Sequence, residues 1–433
     1  MSLELLIEAG IGECRAALVA DGRAVALDLL RPSEASDVGA LYRARVAKGS
    51  AAATGLFLDL GGGHSAHLSL RRAKAGGGGV PPEGALVTVE IVRAAAGDKL
   101  AEATTRLRPA GRYVVVDARA PGGRLLRRAS AGIAPALIDE ETTALARALA
   151  DGERAAHGPG LIVPAPSPLA RLLRDCPPVA ALRVDDPGLL AEIRALCAAW
   201  PDVRERLTLD QASPALFSRH GLEEDWAAVI GGRHPLPSGG WIDIAETAAL
   251  VAIDVNSGQA AGPAARAALA ANLEAADEIA RQLRLQDIGG RVVVDFIAEA
   301  QGGPSPAVLT RLQQRLAEDP KGARLGGRTA LGLVELVRPQ TGPSLACRLR
   351  AAQERRPSLA SQGHEALRQA WRLGLQSGPG AVRLTVPPPL AAWLAARPHF
   401  LALLEDRCRR RLILDKGAAE SAVQIALVKD DGR

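Results

Sequence analysis

Two apolar runs separated by a long amphipathic segment constrain the fold of this chain more than any other feature. The runs are Ala248–Asn256 and Arg291–Ile297, and both have the length and composition of buried strands. Between them, Ala264–Leu285 repeats apolar side chains at helical spacing, and Asp287–Gly290 marks its end. Strand, long helix and strand in this order predict a βαβ unit within a mixed or parallel sheet. A further helix is predicted at Ser305–Ala317.

Three polar side chains interrupt or end these apolar runs. Asp254 and Asn256 are two residues apart, so a strand places both on one face, and Asp295 ends the second strand after three valines. Ligand sites of parallel sheets lie beyond the carboxyl ends of strands, and two carboxylates with an amide suit Mg²⁺ or Mn²⁺. Capping of neighbouring backbone N–H groups explains isolated aspartates equally well, so spacing alone leaves both interpretations open.

Composition narrows the classes of protein that fit. With 433 residues the chain is long enough for two to four structural units, and a net charge of +5 permits a polyanionic partner without requiring one. The five cysteines contain no Cys-x-x-Cys pair, which argues against a disulfide framework or a closed zinc site within one chain. Neither a signal-peptide pattern nor a charge-free run of about 20 apolar residues is present, so we expect a soluble, cytoplasmic protein without a membrane partner.

The N-terminal half contains a second pattern, which is typical of a small barrel. Short strand-like segments separated by glycine-rich turns occupy residues 36–108. Strands are predicted at Leu41–Val46, Thr54–Leu60, Ala66–Leu70 and Ala85–Val92. A helix is predicted at residues 138–155, and residues 355–433 have the alternation of a small α/β unit.

The residues around the two strands resemble the catalytic core of the ribonuclease E/ribonuclease G family. The resemblance is carried by several ordered motifs, with weaker similarity towards both ends of the chain. They are Leu216–Arg219, Leu236–Gly240, Asp254–Ser257, Asn272–Leu285, Asp287–Gly290, Val294–Ile297 and Leu331–Arg338.

The resemblance implies an α/β fold of several subdomains. Residues 1–35 and 109–209 correspond to an RNase H-like subdomain, into which residues 36–108 insert an OB-type RNA-binding barrel. Residues 210–342 correspond to a DNase I-like catalytic subdomain, residues 343–354 to a linker, and residues 355–433 to a small C-terminal domain.

The same resemblance implies a chemistry and its residues. Asp254 and Asp295 take the positions of the family's two metal-binding aspartates, and Asn256 that of the asparagine that orients the metal site and the scissile phosphate. The implied reaction is endonucleolytic cleavage of single-stranded RNA by metal-activated water, leaving a 5′-phosphate and a 3′-hydroxyl, in RNA processing (including ribosomal RNA) or decay.

RNA-binding positions also follow from the resemblance. Phe57 matches a stacking position, His67 stands where the family usually has another aromatic, and Lys99 matches a basic position. A core phenylalanine is an equally good interpretation of Phe57, and a solvated surface is the usual outcome for arginines. Further candidate RNA-binding residues are Arg43, Arg127, Arg128 and Arg338.

Three departures from the family pattern bear on function. Pro164 and Ala165 replace the Arg-Thr pair that senses a 5′-monophosphate, and neither offers the required donors. Cys347 stands alone where the family has a Cys-x-x-Cys zinc link, so no structural zinc is expected, and a homo-oligomer, if it forms, uses another interface. Ala298 takes the place of a further acidic residue, with Glu299 next to it.

These departures keep a second functional hypothesis open. A non-catalytic RNA-binding protein that retains the ribonuclease E/G fold explains the altered 5′ pocket and zinc link. The three intact residues Asp254, Asn256 and Asp295 favour the Mg²⁺-dependent endoribonuclease.

Overall fold

The computed structural model of the chain describes residues 2–34, 36–47, 55–95, 100–117, 119–258, 264–299, 303–340, 342–351, 354–376, 380–418 and 422–429. The chain divides into two compact units. Unit one contains Met1–Leu29, Arg183–Pro187 and Leu209–Arg433, and unit two contains Leu30–Leu182 and Gly188–Thr208. In the described parts of the chain, no helix has the length and apolarity needed to cross a membrane.

Strands occur along most of the chain and are numbered in chain order. They are β1 Leu3–Ala9, β2 Cys14–Ala20, β3 Arg23–Leu30, β4 Leu41–Val46, β5 Leu56–Gly61, β6 His64–Leu68, β7 Leu86–Arg93, β8 Ala101–Thr104, β9 Val114–Val116, β10 Arg124–Leu126, β11 Gly160–Val163, β12 Ala181–Val184, β13 Leu207–Leu209, β14 Arg233–Pro235, β15 Trp241–Glu246, β16 Val251–Asn256, β17 Gly290–Asp295, β18 Arg324–Arg328, β19 Val334–Arg338, β20 Ala381–Val386, β21 Leu412–Lys416 and β22 Gln424–Val428.

The α-helices are concentrated after the barrel strands. They are α1 Leu70–Ala73, α2 Pro135–Ala155, α3 Pro168–Asp175, α4 Pro187–Leu196, α5 Pro201–Arg204, α6 Leu216–Arg219, α7 Leu222–Gly231, α8 Ala264–Leu285, α9 Pro306–Ala317, α10 Leu345–Leu349, α11 Leu359–Gly374, α12 Pro388–Ala395 and α13 Pro398–Cys408.

Unit two contains a closed five-stranded barrel. Its strands follow the order β4-β5-β6-β8-β7, and pairing of β4 with β7 closes the sheet, while β11 adds to the other edge of β4. Alternate side chains of β5 point inward, so Leu56, Leu58 and Leu60 are buried while Phe57 and Asp59 are exposed. The predicted five-stranded barrel is thus present, and the whole protein is a mixed α/β structure.

Unit one contains the predicted βαβ unit within a six-stranded sheet. The strand order is β14-β15-β16-β17-β19-β18, in which β16 and β17 are parallel and the other pairs are antiparallel. Helix α8 is the crossover that a parallel pair requires. Apolar side chains of α8 and α9, including Ile279, Leu283 and Leu312, pack with Ile253 and Val294 in one core.

The other face of this sheet keeps polar and charged side chains at alternate positions. In strand β16, Val251, Ile253 and Val255 are buried, whereas Ala252 and Asp254 are exposed and Asn256 is half-buried. Because the side chains of a strand alternate between faces, the pattern of burial shows that the helices cover only one face. This second surface of the sheet is the open face.

The rest of unit one is connected by a buried charge network. The β1–β2 hairpin supplies Glu8, Glu13 and Arg15, and α11 supplies Arg368 and Arg372. Arg15 and Arg372 pair with Glu8, and Arg368 pairs with Glu13, with Glu8 and Glu13 almost fully buried. Buried charges require such partners, so the hairpin and α11 depend on one another.

His234 in β14 is a buried histidine that packs against Gln286, directly after α8. It is 1% exposed, and its Nε2 lies 3.2 Å from Nε2 of Gln286. An amide nitrogen can only donate a hydrogen bond, so Nε2 of His234 accepts it and the ring is neutral. Burial, followed by the charges of Arg281 and Arg350, lowers the pKa of His234 from 6.5 to about 4.

We expect acid to destabilise the protein partly through His234. Its imidazole stays neutral in the folded state but becomes protonated in the unfolded chain below pH 6.5. The contribution of His234 to the free energy of unfolding is therefore lost as pH falls from 6.5 to about 4. The loss amounts to about 3 kcal/mol at most. Urea unfolding at stepwise pH should show a shallower decline for His234→Gln, and the exposed His399→Gln should follow wild type. Parallel declines in all three proteins would contradict this.

Candidate active site

The two candidate metal-binding aspartates are direct neighbours in the parallel pair. The register places Asp254 of β16 beside Asp295 of β17, and both are exposed on the open face. Adjacent strands lie about 4.8 Å apart, so the two carboxylates project side by side. Asp295 is the last residue of β17, as the sequence indicated.

Asn256 completes the group. It is the last residue of β16, two positions after Asp254 and on the same face. Its Nδ2 donates a hydrogen bond of 2.8 Å to Oδ2 of Asp254. The amide therefore orients one carboxylate and keeps its own Oδ1 for another partner.

The chemistry of this donor set fits a hard divalent cation. In the described residues neither Asp254 nor Asp295 has an arginine or lysine partner, although arginines pair with many other carboxylates of the chain. No group of three or more acidic, histidine or cysteine side chains that could hold a metal occurs in that same part of the chain. Two adjacent carboxylates and one amide suit Mg²⁺, which keeps several waters and takes phosphate oxygens as further ligands.

Helix α8 holds the segment that follows Asp295. Asn272 is fully buried, and its Oδ1 accepts a 3.0 Å hydrogen bond from the backbone N–H of Ile297. Its Nδ2 donates to the carbonyl oxygen of Ile297 at 2.9 Å and to Oε1 of Glu299 at 2.8 Å. Glu299, the residue next to the missing acidic position at Ala298, thus has a structural partner.

A tight turn lies next to the end of β16. Oε2 of Glu274 accepts a 2.9 Å hydrogen bond from the backbone N–H of Ser238. A Cβ on Gly240 would lie 2.3 Å from the carbonyl oxygen of Asn256, so only glycine permits this approach. The turn leads directly into β15 and fixes Trp241 opposite Asn256.

Sequence reasoning missed a third carboxylate on the open face. Asp243 of β15 lies opposite Asp254 and is paired with Arg355 at 2.5 Å and with Arg233 at 3.2 Å. Burial raises its pKa, but the hydrogen bond and charge of Arg355, with those of Arg233, outweigh burial and hold the pKa below its usual value. The four-residue connection between β15 and β16 could have revealed it, because so short a connection favours antiparallel pairing of the two strands. That pairing places Asp243 opposite Asp254.

The candidate stacking residues lie together on the barrel of unit two. Phe57 and His67 are opposite one another on β5 and β6, and their ring centroids are 5.9 Å apart. Phe57 is 44% exposed, so its side chain is not part of the barrel core. A cleft of about 830 Å³ in the same unit is lined by five arginines, including Arg71, Arg106 and Arg127, and by the carboxylates of Glu90, Glu102 and Asp175.

The basic candidates differ in their surroundings. Arg128 is exposed and Arg43 half-buried, whereas Arg127 donates to Asp175 at 2.7 Å and to the carbonyl oxygen of Gly111 at 2.5 Å. Arg338 is 3% exposed and pairs with Asp319 at 2.7 Å and Asp287 at 2.8 Å. A phosphate contact by Arg338 would therefore break these pairs. Lys99 lies outside the described residues.

The segments that depart from the family pattern are ordinary surface structure. Pro164 is exposed directly after β11, and Ala165 is half-buried beside it. Cys347 is exposed on α10, where its backbone N–H bonds to Oγ of Ser344 at 3.1 Å.

A match to a known protein family spans the candidate site. Residues 91–341 match the sequence model of the Ribonuclease E/G family. The chain belongs to the ribonuclease E/G family. The matched region contains the parallel pair, α8 and all three residues of the candidate metal site.

Individual relatives show the extent of the likeness. Ribonuclease E of Escherichia coli is 30% identical over 392 residues, covering 77% of this chain and 36% of that protein. Ribonuclease G of Haemophilus influenzae is 25% identical over 396 residues, covering 79% of this chain and 81% of that protein. The chain spans only 36% to 43% of the ribonuclease E relatives from Escherichia coli, Haemophilus influenzae and Buchnera aphidicola.

We expect Asn272→Leu to destabilise this family member. The substitution leaves the partly buried backbone N–H and carbonyl oxygen of Ile297 without their partner, which costs up to about 1–3 kcal/mol for each unsatisfied group. Urea unfolding measures the loss. Glu299→Gln, which keeps an acceptor for Asn272, should cost less than about 1 kcal/mol. Equal losses in the two variants would show that Asn272 does not hold this segment.

Proposed function

We propose that this protein is an Mg²⁺-dependent endoribonuclease that cleaves single-stranded RNA and leaves a 5′-phosphate and a 3′-hydroxyl, in RNA processing or decay. The observation that carries the proposal is the register of Asp254 beside Asp295, with Asn256 bonded to the first carboxylate, on the open face of the sheet. Membership of the ribonuclease E/G family supports the same reaction class.

In this mechanism the residues of the chain bind the cation and orient the groups around it. Asp254 and Asp295 hold the cation, for which Mn²⁺ is an alternative, and Asn256 fixes the position of the Asp254 carboxylate. When bound, the cation lowers the pKa of a ligated water and neutralises charge on the phosphate. The side-chain oxygen of Asn256 is available to a water or ligand near the scissile phosphate.

The barrel of unit two is proposed to bind the RNA strand. Exposed aromatics stack on bases of any sequence, and arginines compensate phosphate charge. Phe57 and His67 supply the rings, and the arginine-lined cleft supplies positive charge. We propose the OB-type, RNase H-like and DNase I-like subdomain assignments on the basis of membership of the ribonuclease E/G family. Pro164 and Ala165 lack the donors needed to bind a 5′-monophosphate in the family's way.

Loss of either aspartate should abolish cleavage while leaving RNA binding intact. Asp254→Asn and Asp295→Asn remove a cation ligand whose contribution is several kcal/mol, so Mg²⁺-dependent cutting of a 5′-labelled single-stranded RNA should fall on the order of 1000-fold. Glu335→Gln, an exposed carboxylate on β19 of the same sheet, is the matched control and should cut normally. Binding without cutting by wild type would favour the non-catalytic RNA-binding protein.

Phe57→Ala should weaken binding of single-stranded RNA. Loss of one stacked base costs about 1–3 kcal/mol, which is about a 5- to 140-fold increase in Kd. Fluorescence anisotropy in EDTA separates this effect from cleavage. Leu126→Ala removes a 64% exposed apolar side chain of the same unit and should leave the Kd unchanged. If both variants bind like wild type, Phe57 is not a stacking residue.

A further inference from the structure

Trp241 is an aromatic side chain beside the candidate metal site. Its position opposite Asn256 in the β15–β16 pair puts their side chains on one face, with Cβ atoms about 5 Å apart. The chain has only five tryptophans among its 433 residues. A tryptophan is therefore an unusual choice for a half-exposed position on the open face.

The indole is held from two sides. Its Nε1 donates to Oδ2 of Asp243 at 3.1 Å, and Cζ of Arg233 lies 4.7 Å from the ring centroid. Arg233 also pairs with Asp243 at 3.2 Å, and Arg355 pairs with the same carboxylate at 2.5 Å. These contacts fix the orientation of the ring, and Trp241 stays partly exposed beside the 59% exposed side chain of Arg233.

Core packing does not account for this residue. In the part of the chain that the structure describes, Trp241 belongs neither to the core between the sheet and its helices nor to the apolar side chains packed against that core. The neighbouring Ile242 and Ile244, which point to the other face, fill the core instead. A preoriented indole and guanidinium with no core role form a flat, cationic surface of the kind on which nucleobases stack.

We infer that Trp241 and Arg233 form a stacking subsite for the nucleobase next to the phosphodiester bond that is cut. This inference rests on the proposed function and adds a substrate contact on the catalytic sheet itself. Asp243 is the positioning residue for both side chains. Because Asp243 occupies the indole N–H, the indole recognises a base by stacking and not by hydrogen bonds, which favours purines over pyrimidines without excluding either.

The test uses RNA 12-mers that each carry one 2-aminopurine, placed at successive positions along the strand, and any cleavage site is mapped on the same 12-mers in Mg²⁺. The fluorescence of 2-aminopurine falls when the base stacks, so full-length protein in EDTA reports stacking without cleavage. We expect quenching at one position flanking the cleavage site with wild type, its loss in Trp241→Ala and Trp241→Leu, and its retention in Trp241→Phe. The leucine variant keeps apolar bulk but lacks a flat ring, so it separates stacking from folding.

Kinetics and controls complete the design. In Mg²⁺, Trp241→Leu should lower kcat/KM about tenfold for intact RNA, but not for RNA that lacks the base at the quenched position. Phe57→Ala should abolish quenching only at 2-aminopurine positions that do not depend on Trp241. Val337→Ala, on β19 of the same sheet, should leave quenching unchanged at every position. Asp243→Asn should weaken the Trp241-dependent quenching.

The failures of the two proposals are distinguishable. Trp241-dependent quenching with a wild-type protein that does not cut would overturn the nuclease and the placement beside a cut bond, and would leave Trp241 as an RNA-stacking residue. Cutting without any Trp241-dependent quenching would overturn the subsite alone. A changed sedimentation coefficient in Trp241→Leu with unchanged quenching would also overturn it, and would assign Trp241 to contacts between copies of the chain.

Discussion

The parallel pairing of β16 with β17 is the constraint on which the candidate site depends. A parallel pair needs a crossover, and α8 supplies it while packing Ile279 and Leu283 against the inward side chains of both strands. The alternation of buried and exposed residues then fixes the register, because a slip of one residue would turn Asp254 towards the core. Hydrophobic burial on one face thus determines which carboxylates meet on the other.

Helix α8 has a second role through its polar side chains. Asn272 binds the segment after β17, and Glu274 binds the turn before β15. Asp277 accepts from Arg311 and Arg315 of α9, and these arginines hold its pKa below the usual value despite partial burial. One helix therefore stabilises the sheet by apolar packing and positions the loops around the site by hydrogen bonds and charge.

The open face of the sheet is where the candidate active site lies. Its charged residues either pair with each other, as Asp243 does with Arg233, or remain unpaired among the described residues, as Asp254 and Asp295 do. Two adjacent carboxylates without a cationic side chain repel one another, and this repulsion is relieved by a bound cation. The candidate site thus combines a preformed pair of carboxylates with the neighbouring aromatic side chain of Trp241.

Local pattern in the sequence determined the βαβ unit, the barrel strands and the placement of Asp254 and Asn256 on one face, because periodicity depends only on neighbours along the chain. Tertiary structure decided the rest. Pairing between distant segments brought Asp295 beside Asp254 and Trp241 opposite Asn256. It also buried Arg338, a candidate RNA-binding residue, among carboxylates. Such outcomes depend on which strands become neighbours, and burial selects those neighbours over the whole sheet.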